Sequence, residues 1–402
     1  MGSPTKDIDV LIDKYLTLSE SPENRRRLAL WEPEFCARDQ WHGRPIAGEF
    51  RRRGTVPLTV DFQNPFWLQL FPTNLVATYD EPAAYLRFYL QRRIYAFEHI
   101  PDDTPLDGAV QIYLGTPFES SIFGVPVHYF PDRDPIIDQM PIIHDAADLD
   151  RLCKVKLFES GMMPQARKLY EGMVALAGGR LQIRFPEWLR GPFGVALYLR
   201  GYQEFMVDLV AQPAFAHTLL DLITQARMDW FQARATYLGQ PVPTGSLFND
   251  EIDASVIGRR HYREHIRPYE ARLATFHKAI SYWHSCGNIG PIASEIVSLG
   301  CVEMLDISGW TRLQEVLESL DRPAPRLEIR LHPVRELQDA TPARMAQTVR
   351  EVLETAQRYD VGAFTLRVSG LQPHRGLAED LAQVRLWLET ARREIENWAI
   401  HA

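Results

Sequence analysis

The residues Ser281-Tyr282-Trp283-His284-Ser285-Cys286-Gly287-Asn288 contain one complete step from a β-strand to a helix. The β-favouring run 279–283 ends here, a Gly-Asn turn follows, and residues 289–299 have apolar positions at helical spacing. His284 and Cys286 are two residues apart at the strand end, so their side chains project to the same side. Imidazole nitrogen and thiolate sulfur are both ligands of zinc. The stretch therefore predicts half of a metal site at the end of a strand.

The same alternation of strand and helix extends over most of the chain. Eight β-favouring runs are predicted, at 55–62, 109–114, 181–185, 242–248, 279–283, 302–307, 326–331 and 362–368. This rhythm is typical of a parallel sheet with right-handed crossovers, and eight strands favour an α/β fold closed into a single (β/α)8 TIM barrel. No Gly-x-Gly-x-x-Gly follows the first strand, which argues against an open dinucleotide-binding sheet.

The predicted domain organisation is one barrel over residues 51–402 with an N-terminal extension over residues 1–50. Residues 7–18 have helical spacing. Three aromatic residues follow that helix: Trp31, Phe35 and Trp41. We therefore expect a helical and aromatic extension that packs on the barrel. Residues 116–160 lack clear periodicity, and a long irregular stretch of this kind usually forms a lid or a wall of a binding site.

The bulk composition predicts a soluble, cytoplasmic protein that binds neither nucleic acid nor membranes. Of 402 residues, 46% are hydrophobic and 24% are charged, and the formal net charge of -8 disfavours a nucleic-acid surface. No run approaches the ~18 consecutive apolar residues of a membrane helix, and the N-terminus lacks the apolar core of a signal peptide. Four scattered cysteines do not make a disulfide framework. A homodimer is the default assembly.

In a barrel, residues at the C-terminal ends of the strands share one mouth. We predict catalytic roles for three carboxylates at these ends: Asp61, Asp250 and Glu251. The candidates for substrate binding are Asn64, Glu187, Asn249, Asp306 and His332. Two adjacent carboxylates in a partly dry mouth repel each other, so one pKa of the Asp250-Glu251 pair should rise.

Several of these residues also have a structural interpretation. His332, which precedes Pro333, is equally explained as a hydrogen-bonded structural histidine, and Glu187 as a helix cap. Asn249 and Asp250 are also good N-caps for a following helix.

A zinc site built on His284 and Cys286 needs a third protein ligand. Cys301 opens the strand that ends near Asp306, so it lies ~16 Å away at ~3.3 Å per residue. We interpret Cys301 as a small buried core residue. The better third ligands are at the mouth end of the strands: Asp250, Glu251, His332 and His374.

Four segments together resemble the uroporphyrinogen decarboxylase superfamily, and more closely its corrinoid-dependent, methylcobamide:coenzyme M-type methyltransferase branch. They are Gly191-Pro192-Phe193-Gly194 with Leu199-Arg200-Gly201, Asn249-Asp250-Glu251, Tyr262 to Tyr269, and His284-Ser285-Cys286-Gly287-Asn288. The resemblance spans about residues 50–395. It implies a single (β/α)8 barrel whose zinc ion activates a thiol substrate or polarises the oxygen of a methyl donor.

The resemblance assigns His284 and Cys286 to the first two zinc ligands of that branch. The branch places a further Cys after the last strand, where this chain reads Val368-Ser369-Gly370-Leu371-Gln372-Pro373-His374. His374 or Gln372 then substitutes, a carboxylate such as Glu251 completes the site, or the metal has been lost. The chain has no Asp-x-His-x-x-Gly segment, so a separate corrinoid protein is the expected partner.

Three functions follow from these expectations. The first is a zinc-dependent methyltransferase-like enzyme that acts on a small methylated compound or a thiol with a corrinoid protein. The second is a metal-independent decarboxylase or lyase of a small acid that uses Asp61 and Asp250. The Arg-Gln-Ala-Gly-Arg-Tyr segment that grips a porphyrinogen is replaced by Val60-Asp61-Phe62-Gln63-Asn64-Pro65, with no arginine nearby. The third is a barrel that binds a tetrapyrrole or corrinoid without catalysis.

Overall fold

Six parallel strands form the main sheet in the computed structural model, which describes residues 4–31, 56–321 and 323–401. Their order is β1-β10-β9-β8-β7-β6, so the first strand pairs with the last. The strands are β1 (Leu58–Phe62), β6 (Gly245–Phe248), β7 (Ile280–His284), β8 (Met304–Ile307), β9 (Arg326–Leu331) and β10 (Phe364–Leu371). Each is mostly buried on both faces, as strands between helices are.

Two further parallel strands, β2 (Ala109–Gln111) and β5 (Gln182–Arg184), pair with each other beside this sheet. The segment after β5 approaches β6, because the Gly191 amide donates to the Phe248 carbonyl and the Phe248 amide donates to the Leu189 carbonyl. All eight predicted strands are therefore found, several shorter than expected. Main-chain pairing among the described residues makes a curled six-stranded sheet and a two-stranded one, and the complete eight-stranded barrel stays a prediction.

Helices follow the strands and cover the sheet. The longer ones are Pro4–Ser19, Pro82–His99, Met163–Ala177, Pro192–Arg200, Tyr202–Ala211, Pro213–Leu238, Arg267–His277, Pro342–Arg358 and Leu377–His401. Many begin with proline, whose fixed φ and missing amide suit the first helical turn. Thr341 caps Pro342–Arg358 through its side chain, and Gly178 ends Met163–Ala177 with a left-handed φ of 56°. Shorter helices are Pro22–Leu28, Asn64–Leu70, Leu75–Thr78, Phe118–Ile122, Ala146–Leu152, Arg259–His261, Ala293–Val297 and Leu313–Ser319.

The N-terminal helix Pro4–Ser19 packs along Pro82–His99, and Lys14 pairs with Glu98 at 2.8 Å. Trp31 is buried and donates its indole N–H to the Asp103 carbonyl at 2.9 Å. Residues 32–55, which include Phe35 and Trp41 of the predicted aromatic extension, lie outside the described residues. In the described ranges, every helix is too short or too polar to cross a membrane.

The irregular stretch 116–160 contains only short elements. They are the helices Phe118–Ile122 and Ala146–Leu152 and a two-stranded antiparallel ribbon of β3 (Val127–His128) and β4 (Ile136–Ile137). Thr116, Glu119 and Asp134 from this stretch line a cavity at the C-terminal ends of the strands. The stretch therefore forms a wall of that cavity, as expected.

Candidate functional site

Three potential metal-ligand atoms, one each from Asp250, His284 and Cys286, lie within 4.8 Å of one another at the ends of β6 and β7. His284 Nε2 is 2.8 Å from Asp250 Oδ1 and 3.5 Å from Cys286 Sγ. Sheet register explains the first contact: Phe248 pairs with His284, and the Asn249 amide donates to the His284 carbonyl. Asp250, two residues after the end of β6, therefore lies directly beside the imidazole of His284. A nitrogen, an oxygen and a sulfur donor converge on one point.

A buried carboxylate supports the other side of the imidazole. Trp283 pairs with Leu305 across β7 and β8, so the next residues, His284 and Asp306, are level with each other. Asp306 is fully buried, and its Oδ2 lies 2.7 Å from His284 Nδ1. Its other oxygen accepts from Arg330 Nε at 2.7 Å. This carboxylate orients the ring so that Nε2 faces Asp250 and Cys286.

The charges around His284 determine its protonation. Burial and the nearby Arg330 oppose a charge on the imidazole, but Asp306 and Asp250 favour it, and the balance raises the pKa of His284 well above its usual range. The imidazole in turn lowers the pKa of Asp250 against the effect of burial. Without a metal, His284 is therefore an imidazolium between two carboxylates. A cation at Nε2 would take the place of that proton.

Arg190 links the acidic pair to the segment after β5. It forms a short ion pair with Glu251, lies 3.6 Å from Asp250, and stacks 4.8 Å from the Tyr198 ring centre. Burial raises the pKa of Glu251, Arg190 opposes this rise, and the charge of Asp250 adds to it. The two adjacent carboxyls thus have pKa values displaced in opposite directions, which confirms the expectation that one of them rises. The next helix begins at Arg259, so neither acid caps it.

A second buried carboxylate holds the strand ends from behind. Glu270 accepts hydrogen bonds from Asn249 Nδ2 at 2.9 Å and Trp283 Nε1 at 3.1 Å, and a short one from the Tyr262 hydroxyl. Asn249 and Trp283 immediately precede Asp250 and His284 in the chain. Burial raises the pKa of Glu270 to about 7, although all three donors favour its charged form.

The cluster opens into a cavity of about 390 Å³ that the strand ends share. Phe248 and Tyr282 lie beside it, with ring centres 4.7 and 6.0 Å from His284. The cavity has this lining: Asp61, Gln63, Tyr113, Gly115, Thr116, Glu119, Asp134, Leu189, Arg190, Phe248, Asp250, Tyr282, His284, Cys286, Arg330, Pro333, Arg367, Ser369 and Gly370. Its volume suits a small molecule rather than a porphyrinogen.

Across the cavity, Asp61 belongs to a buried network on β1, β9 and β10. Arg367 Nε donates to Asp61 at 3.0 Å, and its NH1 donates to both oxygens of Glu328 at 3.1 and 3.3 Å. Tyr282 donates its hydroxyl to Glu328 at 2.6 Å. Asp61 also accepts from the Gly370 amide. The network binds three strand ends together and presents one edge of Asp61 to the cavity.

Of the residues predicted from the sequence, four line this cavity: Asp61, Asp250, His284 and Cys286. Asp306, Asn249 and Glu251 are not in the cavity lining, and each contacts a lining residue: Asp306 and Asn249 contact His284, and Glu251 contacts Arg190. Their predicted roles in substrate binding and catalysis are therefore indirect at most in this geometry.

The remaining predicted residues lie apart from the cluster in the described structure. His374 pairs with Asp339 at 2.8 Å and is part-exposed, so it does not supply the third donor, and Asp250 stands in that place. His332 caps the helix Pro333–Gln338, and its ring contacts Trp310. Glu187 lies 3.9 Å from Arg234. Asn64 donates to Asp134 and accepts from Arg92.

The cavity residues that the sequence reasoning missed include Tyr113, Glu119, Asp134, Arg190, Arg330 and Arg367. A signal existed for two of them. Arg330 and Arg367 pair across β9 and β10, and both belong to strands that are mostly buried. A charged residue inside a predicted buried strand indicates a site at that position. Glu119 and Asp134 come from the irregular stretch and carried no such signal.

Comparisons with known proteins agree with the fold. The sequence model of the uroporphyrinogen decarboxylase (URO-D) family matches residues 102–363, which is more than half of the chain. A solved structure of a methyltransferase from Methanosarcina mazei superimposes with a TM-score of 0.59 at 17% sequence identity, and the match covers 83% of this chain and 94% of that one. At this identity the likeness concerns the fold. No curated protein sequence matches the chain.

Proposed function

The chain belongs to the uroporphyrinogen decarboxylase (URO-D) family, and we propose that it is a zinc-dependent enzyme that transfers a methyl group to or from a small molecule. A separate corrinoid protein would exchange the methyl group with it. The observation that carries the proposal is the convergence of Asp250, His284 and Cys286 at the cavity wall. The methyltransferase fold of the structural neighbour is consistent with it.

The donor set fits zinc. Ligand bonds of about 2.0–2.3 Å in a tetrahedral arrangement put neighbouring donor atoms about 3.4–3.6 Å apart. His284 Nε2 and Cys286 Sγ are already 3.5 Å apart, whereas Nε2 and Asp250 Oδ1, at 2.8 Å, are held by a hydrogen bond that a metal would replace. Three protein ligands leave the fourth position open towards the cavity, as in catalytic sites.

When bound, zinc supplies a Lewis acid that holds a substrate thiol as thiolate near neutral pH or polarises the leaving oxygen of a methyl donor. The chain's own residues prepare this position. Asp306 orients His284, and Glu270 holds the residues that precede Asp250 and His284. Glu251 pairs with Arg190 behind Asp250 and so holds this side of the site in place. Phe248 and Tyr282 exclude water from one side.

The second candidate is a metal-independent decarboxylase, and one observation favours it. Three arginines, Arg190, Arg330 and Arg367, line the cavity, although the sequence reasoning found none nearby. Each is already paired with a buried carboxylate: Glu251, Asp306 and Asp61, respectively. Since an arginine that grips a substrate carboxylate must have donors to spare, we rank this candidate second.

Metal analysis of the purified protein tests the proposal. We expect close to one zinc per chain, and its loss in His284→Ala, Cys286→Ser and Asp250→Ala. Two control variants separate this site from the alternatives in the sequence: Cys301→Ser and His374→Ala should retain zinc. A wild-type protein that binds no zinc, or a His374→Ala variant that loses it while Asp250→Ala retains it, contradicts the proposed site.

Turnover is tested with free cobalamin in place of the corrinoid protein: reduced cobalamin accepts a methyl group from a small donor, and methylcobalamin gives one to a thiol. The absorbance of the cobalt centre reports both transfers, and we expect their loss in His284→Ala. Carbon dioxide release from a small acid, unchanged by removal of zinc, would select the decarboxylase instead.

A further inference from the structure

Two further carboxylates in the cavity lining, Glu119 and Asp134, come from the segment after β2. Glu119 is 4% exposed and lines the cavity. One of its oxygens, Oε1, accepts the backbone amides of Leu189 and Arg190 at 2.7 and 3.1 Å. Its other oxygen has no hydrogen-bond partner among the described residues. An almost fully buried carboxylate thus has one oxygen fixed by the protein and one left for a ligand.

Asp134 repeats this arrangement beside Glu119. Its Oδ1 accepts from Asn64 Nδ2 at 2.5 Å and from the Tyr79 hydroxyl at 2.8 Å, and the described residues offer no donor to Oδ2. Tyr113 also lines the cavity, within reach of the charges of Asp134, Arg190 and Asp250, and burial raises its pKa, so the hydroxyl stays neutral. Two carboxylate oxygens and one phenol therefore face the same space.

The cavity as a whole prefers a cation. Four carboxylates line it, Asp61, Glu119, Asp134 and Asp250, against three guanidiniums and the imidazole of His284. Those guanidiniums are already bonded to further carboxylates behind the wall, Glu251, Asp306 and Glu328. The acidic excess remains after a divalent ion is added. Three aromatic rings, Tyr113, Phe248 and Tyr282, also line the space and attract positive charge.

We propose that Glu119 and Asp134 form a subsite for the ammonium group of the substrate, and that the substrate is a small aminothiol. This inference rests on the proposed function, because the thiol would occupy the open position beside Asp250, His284 and Cys286. The two ends of the molecule then contact different residues of the same small cavity. An anionic thiol would instead place its acid group against two carboxylates.

Three probes share the same thiol and the same two-carbon linker and differ in the terminal group and its charge: cysteamine, mercaptoethanol and mercaptoethanesulfonate. Their dissociation constants are measured on the zinc-loaded protein by ligand-observed NMR. Because the thiols differ intrinsically, the deciding quantity is the change caused by Glu119→Gln. Glutamine keeps the oxygen that accepts from Leu189 and Arg190, and it replaces the cavity oxygen by an N–H donor.

We expect Glu119→Gln to weaken cysteamine by at least about tenfold and mercaptoethanol by less than about twofold. Asp134→Asn, which also keeps one oxygen for its two donors, should act in the same direction. Asp132→Asn is the matched control, because Asp132 is exposed in the same segment and does not line the cavity. The proposal is overturned if Glu119→Gln weakens the binding of all three probes equally, or if wild type binds mercaptoethanesulfonate more tightly than cysteamine.

A second measurement keeps this result separate from the zinc hypothesis. Propylammonium and propanol have no sulfur, so their binding to metal-free protein reports the subsite alone. If wild type binds propylammonium more tightly than propanol, and Glu119→Gln abolishes this difference, the result supports the subsite even if zinc is absent. A protein that binds zinc at the cluster but shows no preference for propylammonium refutes the subsite and leaves the metal site intact.

Discussion

The substitution Asp306→Asn tests how the metal site is built, because Asp306 holds His284 without facing the cavity. Its two oxygens serve two different donors: Oδ2 lies 2.7 Å from His284 Nδ1, and Oδ1 accepts from Arg330 Nε at 2.7 Å. Asparagine has one oxygen and one amide nitrogen, so it can satisfy only one of these donors. The other donor then faces an N–H group in a fully buried position.

The magnitude follows from that geometry. A buried donor left without its partner costs about 1–3 kcal/mol. If Arg330 keeps the oxygen, His284 loses the acceptor at Nδ1 that leaves Nε2 free for a metal. Substitutions of this kind typically weaken metal binding about 10- to 100-fold, which corresponds to about 1.4–2.8 kcal/mol. We therefore expect zinc affinity to fall in this range, with the fold retained.

The assay is a zinc titration in competition with a chelating dye, together with thermal unfolding of the metal-free protein. Asp339→Asn is the matched control. Asp339 pairs with His374 at 2.8 Å in the same carboxylate–imidazole arrangement, but near the surface and away from the cluster. This control should bind zinc like wild type. An Asp306→Asn protein that is folded and binds zinc with undiminished affinity would refute the supporting role of Asp306.

Two further variants examine the elements behind the site. Burial raises the pKa of Glu270 to about 7 from about 4.5, so the folded state binds the proton of Glu270 more tightly than the unfolded chain does. The resulting contribution to the free energy of unfolding is fully present below pH 4.5. It is lost as the pH rises to about 7. In urea unfolding between pH 5 and 7.5, the free energy of unfolding of wild type should decline by up to about 3 kcal/mol, and this decline should be missing in Glu270→Gln. If the free energies of the two proteins change in parallel with pH, the effect is not due to Glu270. A Cβ added at Gly191 would overlap the side-chain oxygen of Asn249, next to Asp250, so Gly191→Ala should lower the free energy of unfolding by about 1–3 kcal/mol and weaken zinc binding. Gly258→Ala, with open space around it, is the control that should change neither quantity.

Much of the strand and helix pattern is local and was therefore predictable. A strand buried on both faces needs a continuous apolar run, and a covering helix needs apolar residues at helical spacing. These requirements put β7, at Ile280–His284, close to its predicted position of 279–283. The ends were less predictable: β2 stops at Gln111 and β8 begins at Met304, because pairing with a neighbouring strand decides where a ladder stops.

The candidate site was also predictable only in part. His284 and Cys286 were predicted as a pair because the spacing of two at a strand end is a property of the chain itself. Whether Asp250 or His374 joins them depends on which strand lies beside β7, and the register of β6 against β7 decides it. His374 follows β10, at the far side of β8 and β9 in the sheet, and pairs with Asp339 there.

The sequence by itself determined the alternation of strands and helices, the imidazole and thiol at one strand end, and the acidic pair that follows β6. Only the tertiary structure decided which charges neutralise one another. Arg330 is a partner of Asp306, and Arg367 is a partner of Asp61, across 24 and 306 positions of the chain. Electrostatic energy depends on distance in space and on burial, and a one-dimensional pattern contains neither. The acidic wall of Glu119 and Asp134 was invisible for the same reason, since an irregular segment has no period from which a facing direction can be calculated.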